Sequence, residues 1–111
     1  MEEELIANIK KFWNSAELVY NSKDYTSATI LYFKCWFVLL DYVILKNKRI
    51  IPKDHSERFK ILNTGFKKYY YQIDRQYPLY RQTYHSSIER TKCDNIRIIV
   101  KEIIHEQKII I

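Results

Sequence analysis

The chain predicts an all-α fold, an up-and-down bundle of four to five helices forming a single domain over residues 1–111. Three observations carry this reading. Glycine occurs once and proline twice, so few breakers that long helices joined by short loops are expected. Apolar residues recur at spacings of three and four along most of the sequence, the period of an amphipathic helix. The stretch ILYFKCWFVLLDYVIL, from Ile30 to Leu45, is an apolar run that only Lys34 and Asp41 interrupt.

That run organises the rest. A helix apolar around nearly its whole circumference has to be enclosed by other helices, by a partner subunit or by lipid. It is roughly sixteen residues long, short of the about 20 that span a bilayer, and carries two charges in mid-segment, so no membrane is expected. Asp24 ahead of it and Lys46, Lys48 and Arg49 behind it suit the two poles of a soluble helix. The expectation is a central helix packed by its own chain on one side and by a second copy on the other, with Trp36 and Phe37 at a homodimer interface.

The other elements follow in order. Glu2, Glu3 and Glu4 suit a helix N-terminus, where the dipole favours negative charge. Leu5, Ile9, Phe12, Ala16 and Val19 form a stripe that Ile6, Trp13 and Tyr20 widen, predicting a first helix to about Asn21. The short SKDY link allows only a tight antiparallel return, with Asp24 capping the central helix. Pro52 excludes a continuous helix beyond it, and Asp54 with Glu57 makes a capping-box-like start for a third helix near His55. Its seam is Phe59, Leu62, Phe66, Tyr69 or Tyr70, and Ile73, with Gly65 predicting a bend or a close contact midway. Pro78 is read as opening a short fourth helix, Leu79 to about Arg90, with Tyr80, Tyr84 and Ile88 on one face. Thr91 and Asp94 then cap a fifth, whose stripe is Ile96, Ile99, Val100, Ile103 and Ile104.

Composition bounds the environment. With 47% hydrophobic and 29% charged residues the chain can bury a core and is not a disordered segment. Cys35 and Cys93 lie far apart with no CxxC pair, a reducing-compartment pattern, and the acidic opening MEEEL is unlike a secretory leader, so a cytoplasmic protein is expected. The net charge of +6 favours polyanions without specificity, but lysine-rich solubilising faces give the same balance.

Few residues offer chemistry. Lys67 and Lys68 beside Tyr69, Tyr70 and Tyr71, followed by Arg75, Tyr77, Tyr80 and Arg81, mix cations with rings. Such a mixture binds nucleotides or single-stranded nucleic acid by stacking and phosphate contact, and it equally describes an amphipathic helix with tyrosines at the core rim. Glu102 and His105 give one Glu-x-x-His, where a di-iron bundle needs two, so neither metal nor cofactor is expected. Lys34 and Asp41 are about 10 Å apart along a helix axis, too far for a direct bond, and each is expected to meet a partner from another helix or subunit. Neither cysteine has the surroundings of a nucleophile.

The segments AELVYNSKDYTSATILYFKCWFVLLDYVIL, PKDHSERFKIL and LYRQTYHSSIE, in that order, resemble the HEPN family of small prokaryotic helical proteins, often found beside minimal nucleotidyltransferases. The first segment also resembles one hairpin of a tetratricopeptide repeat, but a solenoid needs about three repeats and one is present. The HEPN resemblance implies a bundle of four or five helices, commonly a homodimer. It also implies, in many members, a metal-independent ribonuclease, often a toxin of a toxin–antitoxin pair, with an Arg-x4-6-His motif near the start of a late helix. At the matching place stand Arg81 and His85, with three residues between them, a departure from the motif. On one helix face the guanidinium would bind a phosphate and the imidazole would move a proton. Other relatives carry a tyrosine here, which Tyr84 matches, and are not nucleases. Arg49 and His55 also fit the motif literally, but Pro52 lies between them and the location is wrong.

Two function classes follow. One is a non-catalytic or weakly active module that binds a nucleotide, RNA or a nucleotidyltransferase partner, through Lys67, Lys68, Tyr80 and Tyr84. The other is a ribonuclease using Arg81 and His85. The short spacing favours the first.

Overall fold

The computed structural model describes residues 1–111 and contains five helices and no strand. They are α1 (Glu2–Asn21), α2 (Tyr25–Lys48), α3 (His55–Gly65), α4 (Lys67–Gln82) and α5 (Arg90–Glu106). The predicted all-helical bundle is what forms.

Local chemistry sets the first half. Glu2, Glu3 and Glu4 occupy the first turn of α1, which buries Ile9, Trp13 and Ala16. Lys23 turns the chain with φ 68°, and Asp24 Oδ1 then accepts from the Ser27 amide at 3.1 Å to cap α2. The return is antiparallel: Tyr20 meets Tyr25, Trp13 meets Tyr32, and the Cys35 thiol donates to the Ile9 carbonyl.

By length and composition α2 could cross a bilayer, but its apolar side chains are enclosed by α1, α3, α4 and α5. Trp36 is fully buried and Phe37 is 5% exposed. Both therefore lie inside one chain, which corrects their assignment to a homodimer interface. The reason is geometric. Four helices are enough to cover most of α2, leaving Lys34 exposed and Ile30, Leu31 and Val38 half-buried along its middle, with the two ends of the helix more open.

The second half departs from the prediction at its breaks. Asp54 Oδ1 accepts from the Glu57 amide at 2.9 Å and Glu57 Oε1 from the Lys53 amide at 3.2 Å, so α3 starts as expected. It stops at Gly65, where Phe66 leaves helical geometry (φ −142°, ψ 58°), and α4 begins at once. Pro78 then lies inside α4 instead of opening a new helix. Asp74, whose carbonyl loses its amide partner there, and Pro78 are both exposed, so water can solvate that carbonyl. Residues 83–89 are a turn and loop, not the second half of a helix. The cap of α5 is likewise Glu89, without a side-chain bond, and Thr91 and Asp94 lie within the helix.

Paired polar groups hold α5 against α1 and α2. Arg97 donates through Nε and Nη2 to both Glu17 oxygens at 2.7 and 2.8 Å, and Glu17 also accepts from Tyr32. Tyr20 donates to Asp94, and the Ile88 amide to Thr26 Oγ1 at 2.9 Å. The hydrogen bond from Arg97 holds the Glu17 carboxyl below its usual range against the opposing effect of burial. After α5, Ile109 folds back into the core while Ile110 stays exposed.

Candidate functional site

The one buried ion pair of the bundle lies where α2, α3 and α4 meet. Asp41, within the apolar run, receives Arg58 Nε at 2.6 Å and Nη2 at 2.9 Å, both residues being 8% exposed. A bidentate pair of this kind satisfies most of the hydrogen-bonding capacity of two charges removed from water. Arg58 is one helical turn beyond His55, and its third nitrogen, Nη1, donates to His55 Nδ1 at 2.6 Å. The predicted partner for Asp41 from another helix is thus Arg58. Lys34, for which the same was expected, is exposed and belongs to none of the ion pairs.

Aromatic rings carry this polar core outward. The His55 ring sits edge-on to Phe37 with centroids 4.5 Å apart, and 5.8 Å from Tyr77. Tyr77 in turn meets Phe59 at 5.0 Å on one side and the Arg81 guanidinium at 5.8 Å on the other. Behind them Tyr80 fills the space between Phe33 and Phe37 and supports Tyr84, whose ring is 5.8 Å away and 69% exposed. His85 continues the series at 6.4 Å from Tyr84. One surface therefore shows His55, Tyr77, Arg81, Tyr84 and His85, with Lys34 near enough for its charge to act on His55.

Two titrations describe the environment. The His55 imidazole is held below its ordinary pKa, first by burial, then by the positive charges of Arg58 and Lys34, against the opposing pull of Asp41 and Asp54. Burial pushes the Tyr80 phenol up to about 12, so it remains protonated. Both groups are neutral hydrogen-bonding surfaces at pH 7, and the charge of the face comes from Arg81 and Lys34.

The predicted site residues divide accordingly. Arg81 is on the last turn of α4, but His85 falls in the turn after it, so the argument that a shared helix face brings them together does not hold. Tyr84 is open to a ligand, whereas Tyr80 is 7% exposed and serves as its support. Lys67 and Lys68 lie at the opposite end of α4, roughly 20 Å from Arg81 along the axis. There Lys68 pairs with Glu106 at 2.9 Å, beside Tyr69, which donates to the same carboxylate. The run of cations and tyrosines is therefore two separate patches. The sequence reading missed His55 and Arg58 as site residues. Their one-turn spacing at a capped helix start, with an aspartate inside an apolar run, was the available signal. No protein-family model, curated protein or solved structure matches this chain.

Proposed function

We propose that the chain is a HEPN-like, non-catalytic module that holds a nucleotide or single-stranded RNA on the face made by His55, Tyr77, Arg81 and Tyr84. One observation carries the reading: the unpaired Arg81 guanidinium sits over Tyr77, on the face where Tyr84 stands exposed. Stacking rings and free cations together are what a single strand needs, because every base has a π-face and every link a phosphate. The ribonuclease reading has less support, since His85 is not carried on α4 with Arg81.

Fluorescence anisotropy with a labelled single-stranded RNA in EDTA tests this, using wild type, Lys34→Ala, Arg81→Ala and Tyr84→Ala. Salt-sensitive binding is expected. Tyr84→Ala should weaken it by about 1–3 kcal/mol, and Arg81→Ala should flatten the salt dependence by about one phosphate contact. Binding that ignores all three substitutions, or no binding, overturns the proposal. Cleavage of the RNA that Arg81→Ala and His85→Ala both abolish would replace it with the ribonuclease.

A further inference from the structure

A groove on another face of α4 has no part in the reading above. α4 and α5 run antiparallel, joined at one end by Lys68 and Glu106, but they are not in close contact along their length. Between them lie two adjoining hollows of 380 and 280 Å³ that share Gln76. The first is bounded by Pro78, Leu79 and Gln82 on α4 and by Lys92 and Asn95 on α5. The second is bounded by Tyr71, Gln72 and Arg75 on α4 and by Ile99 on α5. From Tyr71 to Gln82 the groove follows α4 for about 16 Å, the length of about five residues of extended chain.

Its lining has an unusual chemistry. Gln72, Gln76, Gln82 and Asn95 are carboxamides, each able to donate and accept, and Arg75 and Lys92 are cations, while no carboxylate borders either hollow. Gln72 Oε1 is buried and accepts no hydrogen bond. Buried polar atoms in folded proteins nearly always have a partner, so the Gln72 carboxamide, whose oxygen has none, gains a hydrogen bond by turning outward to a donor in the groove. Gln72 and Gln76 are one turn apart, a rise of about 6 Å. An extended peptide presents the same side of its backbone every two residues, about 6.6 Å. Amides at that repeat can pair with successive backbone N–H and C=O groups of a strand.

We infer that this groove binds an extended, acidic segment of a partner protein, whose backbone meets the glutamine amides and whose carboxylates meet Arg75 and Lys92. Single-stranded nucleic acid fits less well. It requires rings along its path, and the lining offers Tyr71 alone, at one end.

The test is NMR of the isotope-labelled full chain, following side-chain amide signals. The probe is a capped peptide of about eight residues alternating aspartate and valine, compared with its lysine–valine counterpart and with oligouridylate. The acidic peptide is expected to move the Gln72, Gln76, Gln82 and Asn95 amides, and the basic one to leave them unmoved. Arg75→Glu with Lys92→Glu should weaken the acidic peptide about tenfold. Both side chains are exposed, and the backbone spectrum serves as the check that the variant is folded. Overturning results are shifts that avoid these four amides, affinity unchanged by the double reversal, or oligouridylate moving the same amides more strongly than the peptide.

Discussion

Arg58 Nη1 lies 2.6 Å from His55 Nδ1, and this contact determines which proton the imidazole carries. A guanidinium has donors only, so Nδ1 must be the acceptor and the proton must sit on Nε2. A doubly protonated ring would turn an N–H against the guanidinium. The downward shift of the His55 pKa, caused first by burial and then by the Arg58 charge, agrees with that geometry. His55 thus presents a neutral ring, held by Arg58, which is itself anchored by Asp41.

The pH dependence follows with a definite sign. Because the folded pKa of His55 is lowered, the unfolded chain takes up the proton first, from about pH 6.5 downward. The contribution of the neutral ring is complete above that pH and is lost as the pH falls through the folded value. Urea midpoints measured from pH 7.5 to 5 should decline in wild type and be flatter in His55→Gln. Glu17 and Glu106, whose carboxyls are held low by Arg97 and Lys68, act below about pH 4.5 and leave that window clear. An unchanged slope in His55→Gln would contradict the assignment.

Removing half of the buried pair should cost more than replacing all of it. Asp41→Asn leaves Arg58 charged and unpaired among Phe37 and its neighbours, which should lower stability by about 3–5 kcal/mol. The double substitution Asp41→Leu with Arg58→Met should recover most of that loss. Denaturant titration of the three proteins decides it, and a double variant no better than Asp41→Asn would show that the site needs its charges.

Trp36→Ala should destabilise the chain by about 3–5 kcal/mol through an unfilled cavity, with no separate effect on association. Circular dichroism and light scattering on the same sample separate the two. A folded variant whose only change is from dimer to monomer would return Trp36 to an interface.

Gly65→Ala is expected to stabilise, by about 0.4–1 kcal/mol, because alanine restricts the unfolded chain more than glycine does. An added Cβ would meet only the Lys48 side chain, Cε at 3.6 Å and Nζ at 4.0 Å, ordinary contacts with a flexible group. A lowered melting temperature would mean that the bend between α3 and α4 requires glycine.

The sequence by itself determined the features governed by short-range chemistry. Helical periodicity placed α1 and α2, carboxylate caps placed Asp24 and Asp54 at the starts of α2 and α3, and the apolar run from Ile30 to Leu45 marked the element that the others enclose. Each depends on residues within a turn or two of one another, so one chain in hand is enough to read it. Tertiary structure decided the rest. Pro78 costs α4 a backbone bond, but continuing the helix seats Tyr77 and Tyr80 against Phe37 on either side of it, and the break moves to Gly65. Arg81 and His85 fit a one-face pattern on paper, but the turn after Gln82 takes His85 off the helix. Asp41, His55 and Arg58 come together across two helices, and the tyrosines of α4 divide into a patch at Glu106 and another at His55. Those placements depend on which helix faces meet, a property of long-range packing that local spacing does not carry.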